Sequence, residues 1–213
     1  MLLEAAEAAE AAGAAELAAT AEAYITSHFG SSGTVTSTKN SGRFKGCTAV
    51  YLAAMEGRLD VVRGLTELLG ADAEARENGG RTSVYVSAYK GHLEVVRYLI
   101  RERGVRGDTP QNDGTTPVYA ASYFGHLDIV RFLVSDAGLA GDTPKNNGDT
   151  PLMVAASHGQ LAVAEYLICT VGVDVDPRRR YEVFNNWEMP LVGSHMEGSV
   201  TIIPRRIPCE SLI

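Results

Sequence analysis

The sequence predicts an all-α solenoid in which pairs of short antiparallel helices stack one on another and are joined by hairpin-like turns. Four segments align without gaps at a spacing of 34 residues, starting at Gly46, Gly80, Gly114 and Gly148. Each segment holds two short stretches with apolar residues at helical spacing, and a polar, glycine-rich stretch separates one copy from the next. One such unit cannot bury its apolar face alone, so the copies are expected to stack.

The first helix of each copy is predicted to begin after a threonine, whose hydroxyl accepts a hydrogen bond from an unpaired amide of the first turn. These threonines are Thr48, Thr82, Thr116 and Thr150. In two copies the next residue is Pro117 or Pro151, and proline suits the first helical position, where its missing amide hydrogen is not needed. About eight residues later a glycine predicts the end of the helix. These glycines are Gly57, Gly91, Gly125 and Gly159.

The second helix follows at once, and three of the four copies place an acid in its first turn, where the helix dipole favours negative charge. A further glycine column predicts its end, and it consists of Gly70, Gly104, Gly138 and Gly172. Asparagine-rich segments such as residues 111–114 then predict tight, hairpin-like turns to the next copy.

The flanking segments resemble altered copies of the repeat. Residues 1–39 are predicted to hold an Ala/Glu-rich helix and a Ser/Thr-rich loop, and residues 14–29 match the second helix of an N-terminal half-repeat. Residues 40–176 comprise the four repeats. Residues 177–213 are predicted to form a degenerate fifth repeat or a C-terminal cap with an irregular tail, because prolines interrupt the helical pattern there.

The repeats resemble those of the ankyrin family. The resemblance is carried by residues 116–121 and 150–155, which read TPVYAA and TPLMVA, and by Gly-His-Leu at residues 91–93 and 125–127. It implies an ankyrin-repeat solenoid, with two departures. The period exceeds the family's usual length of about 33 by one residue, which we expect to lengthen the end of the second helix. The family's histidine column is occupied by Tyr51, Tyr85, Tyr119 and Met153. The inter-repeat hydrogen bonds of that histidine must therefore be absent or made by other groups.

Composition and charge limit the classes of partner. The chain of 213 residues has a formal net charge of −7, whereas a non-specific nucleic-acid binder needs a basic face. No apolar run approaches the length of a membrane span. Cys47, Cys169 and Cys209 are odd in number and lack metal-like spacing, which favours a reducing compartment. We therefore expect a monomer in the cytoplasm or the nucleus, with no nucleic acid or membrane as partner.

The sequence contains no motif that predicts catalysis. It has no phosphate-binding loop, zinc-protease helix, nucleophile elbow or Cys-x-x-Cys pair. His92 and His126 occupy the same column of the repeat, which favours a packing role at the junctions between copies. No catalytic residue, cofactor site or metal site is predicted, and the protein is not expected to be an enzyme.

The resemblance implies that the stack binds another protein on its concave face, through the turn tips and the exposed ends of the first helices. The helix-end positions are Met55, Glu56, Tyr89, Lys90, Tyr123, Phe124 and His158. The turn positions are Phe44, Asn78, Arg81, Asn112, Asp113, Thr115, Asn146, Asn147 and Asp149.

Tyr89, Tyr123 and Phe124 are expected to form a central aromatic patch, because the repeat itself does not require aromatic residues there and large amphipathic side chains are typical of binding hot spots. The alternative is that these rings cover helices rich in small residues and stabilise the stack. The favoured function is a non-enzymatic interaction scaffold. The alternative function is a targeting or regulatory segment of a larger multidomain enzyme or signalling protein.

Overall fold

A computed structural model describes residues 2–31, 33–34, 36, 38 and 46–173. For residues 2–10 it describes the backbone alone. Phe44 and the predicted fifth repeat or cap at residues 177–213 lie outside the described residues. In the part that is described, every regular element is a helix, and one antiparallel bridge joins Thr38 to Thr48. The predicted all-α fold of stacked helix pairs is confirmed.

Four helix pairs follow a long N-terminal helix, α1, which spans Leu2–Phe29. The first helices of the pairs are α2 (Ala49–Glu56), α4 (Ser83–Lys90), α6 (Pro117–Phe124) and α8 (Pro151–Ser157). The second helices, α3, α5, α7 and α9, begin as α-helices and continue as π-helices. Their α-helical parts are Leu59–Arg63, Leu93–Arg97, Leu127–Arg131 and Leu161–Tyr166. Their π-helical parts are Gly64–Leu68, Tyr98–Glu102, Phe132–Asp136 and Leu167–Val171.

The predicted capping residues define both ends of the first helices. The side chain of each threonine in the column accepts a hydrogen bond from the amide three residues later, for example from Tyr85 to Thr82 over 3.2 Å. Gly57, Gly91 and Gly125 follow α2, α4 and α6 with φ of 73°, 85° and 78°, a left-handed conformation that favours glycine. In the fourth copy the helix ends one residue earlier, at Ser157.

The π-helical parts show where the extra residue of the 34-residue period lies. The amides of Leu69, Arg103 and Ala137 donate to carbonyls five residues earlier, over 3.2, 3.1 and 2.9 Å. A π turn takes up one residue more than an α turn does. The prediction that the extra residue lengthens the end of the second helix is therefore confirmed, and the lengthening takes the form of a π turn.

The core runs through all four copies in the same columns. Leu65, Leu99, Leu133 and Leu167 are each 0% exposed. The first helices contact one another in succession, α2 with α4, α4 with α6 and α6 with α8. Small residues in these helices, such as Ala53, Ala54 and Ala121, are fully buried and allow the close approach. The stack is thus held together by an apolar core that continues from copy to copy.

Helix α1 packs on α3, but it runs in the direction opposite to that of a second helix. The Tyr24 hydroxyl donates to Glu56 just before α3 begins, whereas the Leu17 carbonyl lies against Gly64 in the π-helical part of α3. The later residue of α1 therefore lies near the start of α3 and the earlier residue lies further along α3, so the two helices are antiparallel. Second helices of successive copies run parallel, so the interpretation of residues 14–29 as a half-repeat's second helix is wrong in direction. The short sequence match on which it rested does not encode helix direction.

Candidate partner-binding surface

Four rings at the ends of the first helices form a continuous row across three copies. The ring centroids are 4.4 Å apart for Tyr89 and Phe124, 4.7 Å for Phe124 and Tyr123, and 4.0 Å for Tyr123 and His158. We call Tyr89, Phe124, Tyr123 and His158 the aromatic row. Tyr89 and Phe124 meet edge to face at 67°, an arrangement that aromatic pairs favour. The structure thus brings together the aromatic residues that the sequence singled out.

The rings of the row are packed against one another and still open to solvent. Tyr89 is 37% exposed, Tyr123 is 38% exposed and Phe124 is 40% exposed. By contrast, the residues that precede them in α6, Ala121 and Ser122, are fully buried. The small side chains are therefore buried along the first helices, whereas the aromatic side chains lie at the helix ends and contact one another across copies.

Lys90 flanks the row on its N-terminal side. It is the last residue of α4, and its ammonium nitrogen lies 5.4 Å from the centroid of the Tyr89 ring, within the range of a cation–π contact. Its side chain is exposed, and among the described residues no carboxylate lies within ion-pair distance of it. Lys90 thus adds an accessible positive charge to the edge of the aromatic row.

Met55 and Glu56 lie at the end of α2, and both have contacts within the chain. The Met55 carbonyl accepts a hydrogen bond from His92 Nε2 over 3.1 Å. Glu56 accepts one from the Tyr24 hydroxyl over 3.0 Å and lies 3.6 Å from His28 Nε2. Burial, and after it the hydrogen bond to Glu56, raises the pKa of Tyr24. The carboxylate of Glu56 is therefore engaged by α1.

The His92 contact confirms the packing role predicted for this histidine.

The asparagines at the turn tips link successive copies. Asn112 Nδ2 donates to the carbonyl of Asn78 over 3.4 Å, and Asn146 Nδ2 donates to the carbonyl of Asn112 over 3.3 Å. The backbone amide of Asn146 also donates to the carbonyl of Asp113 over 2.9 Å. These contacts give the asparagines a role in stacking that the sequence interpretation missed. The signal for it was their shared column, which repeats every 34 residues.

The other turn positions are engaged locally. Arg81 donates to Glu77 over 2.9 Å, the amide of Thr115 donates to Asp113 over 2.9 Å, and Asn147 donates to Asp149 over 2.7 Å. Thr115 is only 5% exposed. Its inclusion among the partner-contacting residues is therefore wrong, because a residue this buried cannot offer its side chain to a partner.

The tyrosines that stand in the family's histidine column contact the turn of the following copy. Gln111 Nε2 donates to the Tyr85 hydroxyl over 3.1 Å, and the Lys145 ammonium lies 5.3 Å from the centroid of the Tyr119 ring. Of the two alternatives that the sequence left open, the contacts at Tyr85 and Tyr119 favour the one in which other groups join the copies. Burial raises the pKa of Tyr85 to about 12.

Throughout the part of the chain that the structure describes, no group of three or more His, Cys, Asp or Glu residues is arranged to hold a metal ion. The same part contains no helix that is both long enough and apolar enough to cross a lipid bilayer. Cys47 is a buried thiol, and burial raises its pKa.

Comparison with protein families agrees with the geometry. The family model for ankyrin repeats (3 copies) matches residues 11–111 and 104–179, which together are most of the chain. The first match begins within α1 and extends through the second copy. No curated protein matches the chain. Because the match covers well over half of the sequence, the chain belongs to the ankyrin repeat family.

Proposed function

We propose that the protein is a non-catalytic scaffold that binds another protein on the concave face of its stack, with the aromatic row at the centre of the contact. Ankyrin repeats generally mediate protein–protein interaction. The observation that supports this site is the exposure of Tyr89, Tyr123 and Phe124, which lies between 37% and 40%. Small residues of the helices that carry these rings, such as Ala88 and Ala121, are fully buried, so the exposed rings are not needed to fill the core between them.

The ring contacts also favour binding on energetic grounds. Each ring of the row is held by its neighbours at centroid distances of 4.0 to 4.7 Å, so little side-chain freedom remains to be lost when a partner binds. Fixed aromatic side chains near the centre of a surface are typical hot-spot residues. The proposal gives Met55 and Lys90 a flanking role, and it gives the turn-tip asparagines a minor one because their amides already bond within the stack.

A quantitative capture experiment tests the proposal. The chain is immobilised, proteins retained from a cell extract are measured by mass spectrometry, and the result is compared with the Tyr89→Ala/Tyr123→Ala/Phe124→Ala variant. We expect the retained proteins to bind the triple variant about thirtyfold or more weakly, as loss of a hot spot implies. Leu68→Ala/Leu161→Ala is the matched control, because these apolar residues are exposed by 40% and 52% but lie outside the row.

Thermal unfolding of Tyr123→Ala separates binding from packing. If the ring serves a partner, the melting temperature of the isolated chain should change by less than about 4 °C, which corresponds to roughly 1 kcal/mol for a chain of this size. A larger fall, combined with unchanged capture by the triple variant, would show that the rings stabilise the stack and would contradict the proposal. A targeting or regulatory segment of a larger protein would use the same surface, so the test holds for that role too.

A further inference from the structure

Resting on the proposed function, we infer that the partner segment seated on the aromatic row is apolar and carries a carboxylate that pairs with Lys90. The row offers the three exposed rings of Tyr89, Tyr123 and Phe124, which suit apolar side chains, and the exposed imidazole of His158. One edge of it offers an ammonium group. Because no carboxylate of the described residues lies within ion-pair distance of Lys90, its ammonium group favours an acidic group over a basic one at that edge.

Lys90 differs from the other cations of the described residues. Several of these have a carboxylate within 4.0 Å, and they are Arg58, Arg63, Arg81, Arg101, Arg106 and Lys145. Of the others, Arg76 and Arg103 donate to backbone carbonyls, and Arg97 and Arg131 lie over rings of the next copy's second helix. Among these groups only Lys90 lies over a ring of the exposed aromatic row.

The neighbouring positions in the Lys90 column leave its charge without compensation from within the row. The preceding copy has Glu56 there, but its carboxylate accepts from the Tyr24 hydroxyl and faces His28. The following copy has Phe124, which carries no charge. An approaching carboxylate therefore meets an ammonium group beside apolar rings. Water is displaced from such a place when a partner docks, and the attraction between opposite charges is then stronger than in bulk water.

A selection experiment with a defined probe tests this inference. Random peptides displayed on phage are selected on the wild-type chain and, in parallel, on Lys90→Glu. We expect apolar peptides rich in Asp and Glu on the wild type, and a shift to Lys and Arg on the variant. Synthetic wild-type-selected peptides should bind Lys90→Glu about tenfold more weakly, since charge reversal replaces an attraction with a repulsion. Circular dichroism of each variant verifies that it is folded.

Arg106→Glu is the matched control, because it makes the same charge change beyond the far end of α5, where Arg106 pairs with Asp108. It should select the same acidic peptides as the wild type. If peptides depend on Tyr89, Tyr123 and Phe124 but show no shift in charge with Lys90→Glu, this inference is overturned and the proposed function stands. If the selected peptides bind the triple alanine variant as well as the wild type, or if no peptide is selected, the proposed function is overturned as well.

Discussion

The stack contains two kinds of junction: α1 packs on the second helix of the first copy, and each copy packs on the second helix of the next. The two kinds of junction use different side chains. Between copies, an aromatic ring projects back onto the preceding second helix: Tyr98 is 1% exposed and its hydroxyl lies 2.6 Å from that of Thr66. Gly64 stands in that column of the first copy, and α1 lies against it. A Cβ atom at Gly64 would lie 2.5 Å from the carbonyl oxygen of Leu17.

The difference shows how one residue alters the kind of neighbour that a repeat accepts. In the regular junction the Tyr98 ring packs on the preceding copy's second helix, and Arg63 of that helix lies 5.2 Å from the ring centroid. Gly64 has no side chain, so a helix backbone can come close to it, and the neighbouring helix need not be a repeat in register. Helix α1 is antiparallel and rich in alanine, and its small side chains permit this close approach.

The largest effect is expected in the regular junctions. Leu99→Ala removes a side chain that is 0% exposed in the core that continues between copies. We expect it to lower the free energy of unfolding by about 2–5 kcal/mol, because it opens a cavity that the neighbouring copies cannot fill. Denaturant unfolding measures this, with Leu161→Ala as control, since Leu161 is 52% exposed. Similar stabilities for the two variants would contradict the proposed register of the stack.

A smaller effect, whose sign depends on α1, is expected at Gly64. In the full chain, Gly64→Ala should destabilise by about 1–3 kcal/mol, because the added methyl group would overlap the backbone of α1. In a chain that lacks residues 1–30, the same change should stabilise by up to about 1 kcal/mol, because alanine is the better helix former. Unfolding curves of the four proteins measure both effects. Equal effects with and without α1 would show that the close contact is not made in solution.

The two junctions also differ in how much of them the sequence predicted. The repeat columns determine caps, glycine stops and core leucines directly, because each copy confirms the others. The structure contains them, except that the first helix of the fourth copy ends at Ser157, before Gly159. The direction of α1 was mispredicted because a single helix has no second copy to fix its register. The aromatic row could be identified from Tyr89, Tyr123 and Phe124, but the burial of Thr115 depends on how the turn folds over it, which residue spacing does not specify.

The smallest effects compare the two tyrosine hydroxyls at these junctions. Tyr98→Phe removes a hydroxyl that donates to the exposed Glu67 over 3.0 Å and lies 2.6 Å from the hydroxyl of Thr66. Thr66 is only 2% exposed, so water cannot replace the hydrogen bond lost there. We expect a cost of about 1–2 kcal/mol. Tyr24→Phe removes a hydrogen bond to Glu56, an exposed residue that water can solvate, and should cost about 0.5 kcal/mol.

Thermal and denaturant unfolding of the two variants rank these hydrogen bonds, and Tyr123→Phe serves as a control for loss of a hydroxyl on an exposed ring. If Tyr24→Phe costs as much as Tyr98→Phe, Glu56 is shielded from water by α1, and the N-terminal junction is as tightly closed as the junctions between copies. If it costs less, as we expect, α1 is held chiefly by its backbone contact at Gly64 and its buried residues Ala21 and Ile25, and the polar contacts at its end add little.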